Sequence, residues 1–158
     1  MTIGVALAIF GAAIAACAGV GSGLGVGIAG EAADGVMAGE GTSFGSTLVL
    51  QALPGTQGIY GMVIAIMIMT KIGVLGSAAI HEVSMAQGLG LLAAGLPIGI
   101  VGIWSGIAQG KAAAAGIQLV SKKDGKLGQA IIYAVMVETY AILAFIISFL
   151  VWYGIKIV

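Results

Sequence analysis

Arginine is absent from this 158-residue chain, and cysteine and histidine occur once each. A lone cysteine, Cys17, excludes an intrachain disulfide and reads as a small apolar packing residue. The lone histidine, His81, stands beside Glu82 in a linker and reads as a solvated loop pair rather than a metal or catalytic site. No nucleophile–base–acid constellation is visible, so the chain reads as non-catalytic. Charge is scarce as well. Only 8% of residues are charged and the net charge is zero, which argues against a nucleic-acid partner. A soluble domain carries about 25% charged residues.

What is there is apolar: 60% of residues are hydrophobic and the mean hydropathy is +1.18. Residues 1–30, 41–70 and 83–110 hold no charge, and 127–155 hold only Glu138. Each run exceeds the roughly 20 residues a helix needs to cross a bilayer core. Lipid leaves helices or a closed barrel as the spanning options, and the runs lack the alternation of barrel strands. The first run has no positive leading region and is too long for a signal sequence, so it is expected to stay as a helix. Four transmembrane helices are predicted, at about 3–30, 44–71, 84–120 and 127–154.

The chain reads as a tandem duplication. An ungapped shift of 83 residues sets Gly19, Ser22, Gly23 and Gly27 on Gly102, Ser105, Gly106 and Gly110, and Thr56 on Thr139. Residues 1–72 form one predicted hairpin and 84–158 the other. Two successive spans return the chain to one side, so loops 31–43 and 121–126 share a side, and the termini and linker 72–83 share the opposite one. Lys122, Lys123 and Lys126 crowd one short loop, and this places both short loops in the cytoplasm. Glu31, Asp34 and Glu40 in the other short loop carry little weight in that rule. Trp152 and Tyr153 read as an interfacial anchor.

Gly19, Gly23 and Gly27 make a small-residue ridge, as do Gly102, Gly106 and Gly110, with Gly21 and Gly25 beside the first. Such ridges let helices approach closely in lipid. They suit either contacts inside a four-helix subunit or an inner layer in which the first and third helices of many copies line a ring.

Glu138 lies 12 residues past Lys126, about 18 Å into the membrane at 1.5 Å per residue. An ionisable group at that depth points to an ion pathway. Gln109 lies 12 residues before Ser121 on the antiparallel neighbour, at matching depth, and Thr56 and Gln57 sit at a comparable level. These oxygen donors suit a hard cation, or they glue helices together. Pro54-Gly55 interrupts the second helix just before them and opens either a plain kink or a carbonyl turned toward an ion. Gly55 occupies the position equivalent to Glu138, leaving one carboxylate per four helices. Lys111 is expected to snorkel toward the cytoplasmic side.

The segments QALPGTQGIYGMVIAI (51–66), SGIAQGKAAAAGIQ (105–118) and MVETYAILAFIISFL (136–150) resemble the duplicated proteolipid of V-type ATPases, in particular the rotor-ring K subunits of bacterial sodium-translocating V-type ATPases. The resemblance implies an all-α membrane protein that assembles into a homo-oligomeric ring. The ring turns as a soluble head hydrolyses ATP, and each copy of the chain carries one Na+ past a stator. It also implies roles by position. Glu138 would be the ion-binding carboxylate, and Thr56, Gln57 and Gln109 side-chain ligands. Leu53 would offer its backbone carbonyl, and Tyr60 would hydrogen-bond Glu138. A stator subunit would supply the arginine this chain lacks, and central-stalk subunits would dock on the cytoplasmic loops. The same ring carrying H+ is the alternative, and a small proton-coupled tetraspan carrier or a purely structural membrane oligomer are further ones. The expected location is the cell membrane, with the termini and the linker outside.

Overall fold

A computed structural model describes residues 2–39, 43–76 and 79–157. Among these residues every regular element is helical. The elements are α1 (Ile3–Ala16), α2 (Ala18–Met37), α3 (Phe44–Ala52), a 3-10 turn (Leu53–Gly55), α4 (Thr56–Lys71), α5 (Met85–Lys122) and α6 (Leu127–Gly154). They form four spans long and apolar enough to cross a membrane: Ile3–Met37, Phe44–Lys71, Met85–Lys122 and Leu127–Gly154.

The second and fourth spans match the predicted bounds. The first runs seven residues further than predicted, because the alanines of EAADGVM keep the helix going beyond the apolar stretch. Glu31 and Asp34 therefore ride on helix α2 and not in a loop. Glu40 and part of the 72–83 linker (residues 77 and 78) lie outside the described residues. The first span also breaks once. At Cys17 the backbone N–H is shared between the Ala13 and Ile14 carbonyls (3.2 and 3.0 Å), and Val20 N–H bonds the Cys17 carbonyl at 2.9 Å, a one-turn tightening. Cys17 is exposed there, not packed as the sequence suggested.

Both ends of the third span have local causes. Ser84 and Gln87 form a reciprocal capping box at its start (3.2 and 2.8 Å). At its end Gly125, at φ +72°, makes the tight turn into α6, a backbone conformation that side chains resist. Pro97 lies inside α5, and one residue on, Ile98 N–H bonds the buried Ser148 hydroxyl of α6 at 3.1 Å. That bond keeps a backbone donor satisfied where proline disturbs the ladder.

The first and third spans run side by side over most of their length, with α4 against α1, α2 and α5 and with α6 against α5. Glycines make this approach possible. A Cβ built on Gly95 would lie 2.0 Å from the Gly11 carbonyl oxygen, and one on Gly110 would lie 2.4 Å from Gly25 Cα. The two glycine ridges therefore split between the two readings. Gly102, Gly106 and Gly110 pack inside the four-helix bundle against Ala18, Gly21 and Gly25, whereas a Cβ on Gly19, Gly23 or Gly27 meets nothing within 4 Å. Gly110→Ala is expected to destabilise the bundle by about 1–3 kcal/mol, the cost of overpacking against backbone. Thermal unfolding of the detergent-solubilised protein, followed by circular dichroism, would measure it, and an unchanged midpoint would show that the helices can move apart at no cost.

The two ends of the bundle differ. At one end Thr2 Oγ1 bonds the Val83 carbonyl (3.3 Å), Gln87 Nε2 bonds the Lys156 carbonyl (2.8 Å), and His81 N–H bonds the Ile72 carbonyl (3.0 Å). The amino end, the linker and the carboxyl end meet there. The α2–α3 connection and the short α5–α6 turn lie at the other end.

Candidate ion site in the membrane

Pro54 brings no N–H to the helix ladder, and the second span tightens to a 3-10 turn over Leu53–Gly55. Thr56 Oγ1 donates to the Leu53 carbonyl at 3.1 Å. Beyond the turn, Gly58 N–H also bonds Ser22 Oγ of α2 at 2.8 Å. That bond fixes the rotation of α4, and the rotation turns Gln57 wholly into the interior.

From Gln57 a chain of polar contacts crosses three helices. Gln57 Nε2 donates to Gln109 Oε1 on α5. Gln109 Nε2 lies 3.4 Å from Glu138 Oε2 on α6, and Tyr60 Oη donates to Glu138 Oε1 at 2.5 Å. Phe145 packs on the Tyr60 ring with centroids 5.6 Å apart and holds the phenol in place. Gln57 and Gln109 are fully buried and Glu138 is 8% exposed.

The order of atoms in this chain follows from the carboxylate. An ionised carboxylate only accepts, so Gln109 must turn its NH2 group to Glu138 and its oxygen to Gln57. Gln57 then spends its NH2 on Gln109. Its own Oε1, buried, is left with no partner. An orphaned amide oxygen at this depth costs about 1–3 kcal/mol. The hydrogen-bond partners of Glu138, Tyr60 and Gln109, are both neutral. An unpaired carboxylate and an unpaired carbonyl oxygen on the same short chain of contacts fit a small hard cation: both lack positive charge, and both are oxygen.

The structure thus joins Tyr60, Gln57, Gln109 and Glu138. Thr56, next to Gln57 in sequence, bonds the Leu53 carbonyl, and neither has a hydrogen bond to Glu138. No group of three or more His, Cys, Asp or Glu side chains that could hold a metal ion occurs among the described residues, so any cation here is held by amides, hydroxyls and carbonyls beside one carboxylate.

Two supporting contacts were missed at the sequence level. Ser22 entered only as a repeat position, yet it anchors the second span. Lys71, at the end of the second span, belongs to no sequence motif, but it donates to the Trp152 carbonyl and sits 4.2 Å from the centre of that indole, while Trp152 Nε1 bonds the Met67 carbonyl at 2.9 Å. The pair pins α4 to α6 on the far side of the site, a tie between residues 81 apart that no local pattern announces.

Comparison with known proteins agrees with this geometry. The family model for the ATP synthase C subunit matches residues 3–68 and again 92–151. The V-type sodium ATPase subunit K of Enterococcus hirae is 52% identical over 132 residues, which cover 84% of this chain and 80% of that protein. The A-type ATP synthase subunit K of Methanocaldococcus jannaschii is 38% identical over 138 residues, 87% of this chain and 57% of that longer protein. Four apolar spans, one buried carboxylate and these matches over most of the length agree, and the chain belongs to the ATP synthase C-subunit family, the ring-forming membrane proteins of rotary ATPases.

Proposed function

We propose that each copy of this chain binds one Na+ at Glu138 and releases it to a stator as the ring turns, coupling ATP hydrolysis elsewhere in the complex to Na+ transport. The observation that carries this reading is the buried Gln57 Oε1 with no partner, on the same polar chain as an unpaired carboxylate. A proton carrier needs only Glu138 and the Tyr60 hydroxyl; Gln57 and Gln109 would be superfluous to it. The name of the E. hirae relative points to the same ion.

In this mechanism Na+ is cargo. Glu138 supplies the charge, Gln57 and Gln109 supply amide oxygens, and Thr56 and the Leu53 carbonyl complete the oxygen set at the 3-10 turn. Gln109 must exchange its present oxygen partner for the ion, and Gln57 Oε1 is already free to bind. Tyr60 holds the carboxylate inward. The loaded site is neutral and can turn through lipid, whereas the bare anion is costly there. Unloading therefore calls for an outside positive charge. The chain has no arginine, so a stator subunit supplies it. The chain itself performs no chemistry. The α2–α3 and α5–α6 connections face the cytoplasm and dock the central stalk, and the bundle end with both termini faces outward across the cell membrane. The hairpins 1–72 and 84–158 derive from one duplicated unit, in which Gly55 stands where the second copy has Glu138.

A hydrophobic carbodiimide attacks the protonated carboxyl, so its rate reports whether Glu138 is free. Na+ is expected to slow labelling of Glu138 in the purified ring and K+ is not. Because Na+ and H+ compete for one carboxylate, protection should strengthen as pH rises. Labelling that follows pH alone, blind to Na+, would make the ring a proton carrier.

A further inference from the structure

The two inner spans each leave one face open, and the open faces are complementary. Gly25 of α2 packs on Gly110 of α5, and Gly21 on Gly106. Counted at about 100° per residue from Gly25, Gly19, Gly23 and Gly27 fall at roughly 120–200°, on the side of α2 turned away from α5. Counted likewise from Gly106, Trp104, Ala108, Lys111 and Ala115 fall at roughly 140–200°, on the side of α5 turned away from α2. Trp104 is 71% exposed, and Ala108, Lys111 and Ala115 are exposed or nearly so. The helices are parallel and in register, so Trp104 stands level with Gly19 and Ala108 with Gly23. A large side chain is level with bare backbone.

Charge follows the same geometry. Glu31 falls at roughly 240° on α2, the side opposite Ser22 and the second span, and Lys111 at roughly 140° on α5, the side opposite Gln109 and the fourth span. Both lie on the same side of the plane through the two helix axes, the side away from α4 and α6. Both are exposed, and neither has an ion-pair partner among the described residues. From the Gly25–Gly110 contact, Glu31 lies about 9 Å and Lys111 about 1.5 Å further along their helices. The helices are parallel, so both side chains lean the same way and the axial difference of about 7.5 Å stays; the flexible Glu31 and Lys111 stems together are long enough to span it. A third observation lies beside the Lys111 face. A groove of about 400 Å³, lined by Val101, Trp104, Ser105, Ala108, Val137 and Tyr140, opens on the same flank. Its Ser105 hydroxyl is 6% exposed and has no hydrogen-bond partner. An unpartnered hydroxyl at the floor of an apolar groove calls for an occupant.

We propose that the occupant is a second copy of this chain: the first span of one copy seats against α5 and the groove of the next, and Glu31 of one pairs with Lys111 of the other at the inner edge of the seam. Rotation about an axis along the helices preserves depth, so the register inside one copy also holds between copies. The contact is head-to-tail and repeats, as the seams of a ring do when the rotation between copies closes. A lysine 11 residues from the end of its helix gains a carboxylate partner instead of reaching alone for water. The inference takes ring assembly from the family and does not depend on which ion Glu138 carries.

The test uses the intact ring and a water-soluble zero-length carbodiimide, which joins a touching carboxylate and amine as an amide. The wild-type ring is expected to give a ladder of dimers, trimers and higher species on denaturing gels, with Glu31 and Lys111 found in one cross-linked peptide. E31Q and K111Q should each remove the ladder. The charge swap E31K/K111E should restore it, along with the resistance of the ring to heat dissociation. Should single variants fail to assemble, the pair E31C/K111C reports instead, through a bifunctional maleimide long enough to bridge the two thiols between copies. A ladder that survives both glutamines, a Glu31–Lys111 link confined to monomer, or a cysteine pair that the maleimide fails to bridge between copies of the assembled ring would overturn the proposal. So would an anionic lipid that copurifies with wild type and is lost in K111Q while the E31Q ring keeps its stability, since that would assign Lys111 to a lipid phosphate. Na+ protection of Glu138 is read separately, so failure of the seam and failure of the ion assignment are distinguishable.

Discussion

Glu138→Gln is expected to abolish ATP-driven Na+ uptake, a loss of at least about 100-fold, while the ring remains assembled. The substitution keeps the size and planarity of the side chain. Tyr60 can still donate to the amide oxygen, as it now donates to Glu138 Oε1 at 2.5 Å. The other amide atom is an NH2 facing Gln109, whose amide must flip to offer its oxygen, but the bundle loses little packing. What disappears is the one charge at the site. A cation then has no counter-charge in a low-dielectric interior, and such burial costs several kcal/mol per ion. The measurement is Na+ uptake into vesicles holding the variant complex, with ring assembly checked on detergent gels. Uptake at the wild-type rate would overturn the assignment of Glu138. Loss of uptake together with loss of the ring would assign Glu138 a structural role in its place.

Gln57→Leu is expected to weaken Na+ binding by about 30- to 150-fold, the equivalent of about 2–3 kcal/mol. Leucine has a similar volume and suits a fully buried position. It removes the free Oε1 and also strips Gln109 Oε1 of its present donor. The readout is the Na+ concentration that half-protects Glu138 from carbodiimide. A proton carrier should hardly respond, because the Tyr60–Glu138 bond is untouched. An unchanged Na+ midpoint would thus reduce Gln57 to helix glue, and an unprotected Glu138 with normal labelling against pH would mark conversion from a Na+ site to an H+ site. The two variants separate charge from ligand number: one removes the counter-ion and the other a neutral oxygen.

The two readings of the glycine ridges show where sequence reasoning ended. Spacing of three and four residues placed Gly19, Gly23 and Gly27 on one face and Gly102, Gly106 and Gly110 on another. It did not say which face of α2 would meet α5. The structure pairs Gly21 and Gly25 with the α5 ridge and leaves the other α2 ridge open. The two rows on α2 lie a fraction of a turn apart, and helix rotation about its own axis is fixed by contacts with the neighbouring spans. The Gly58–Ser22 bond is one such contact, just past the 3-10 turn at Pro54. The extension of the first span to Met37 is a smaller case: charge in EAADGVM marked the end of the apolar run, while alanine content continued the helix past it.

By itself the sequence determined the number of spans, their ends at the second and fourth helices, and the level of Glu138 along the fourth. It did so because membrane thickness converts a count of uncharged residues directly into a position along the normal. Counting from the short turn also put Gln109 level with Glu138, since both helices share one rise per residue. The tertiary structure decided everything transverse to that axis. It chose which amide atom faces which oxygen, left Gln57 Oε1 and Ser105 without partners, brought Lys71 onto Trp152, and turned Glu31 and Lys111 to the same open side. Depth is one-dimensional and additive along the chain. Azimuth depends on the packing of all four helices at once, and no window of residues contains it.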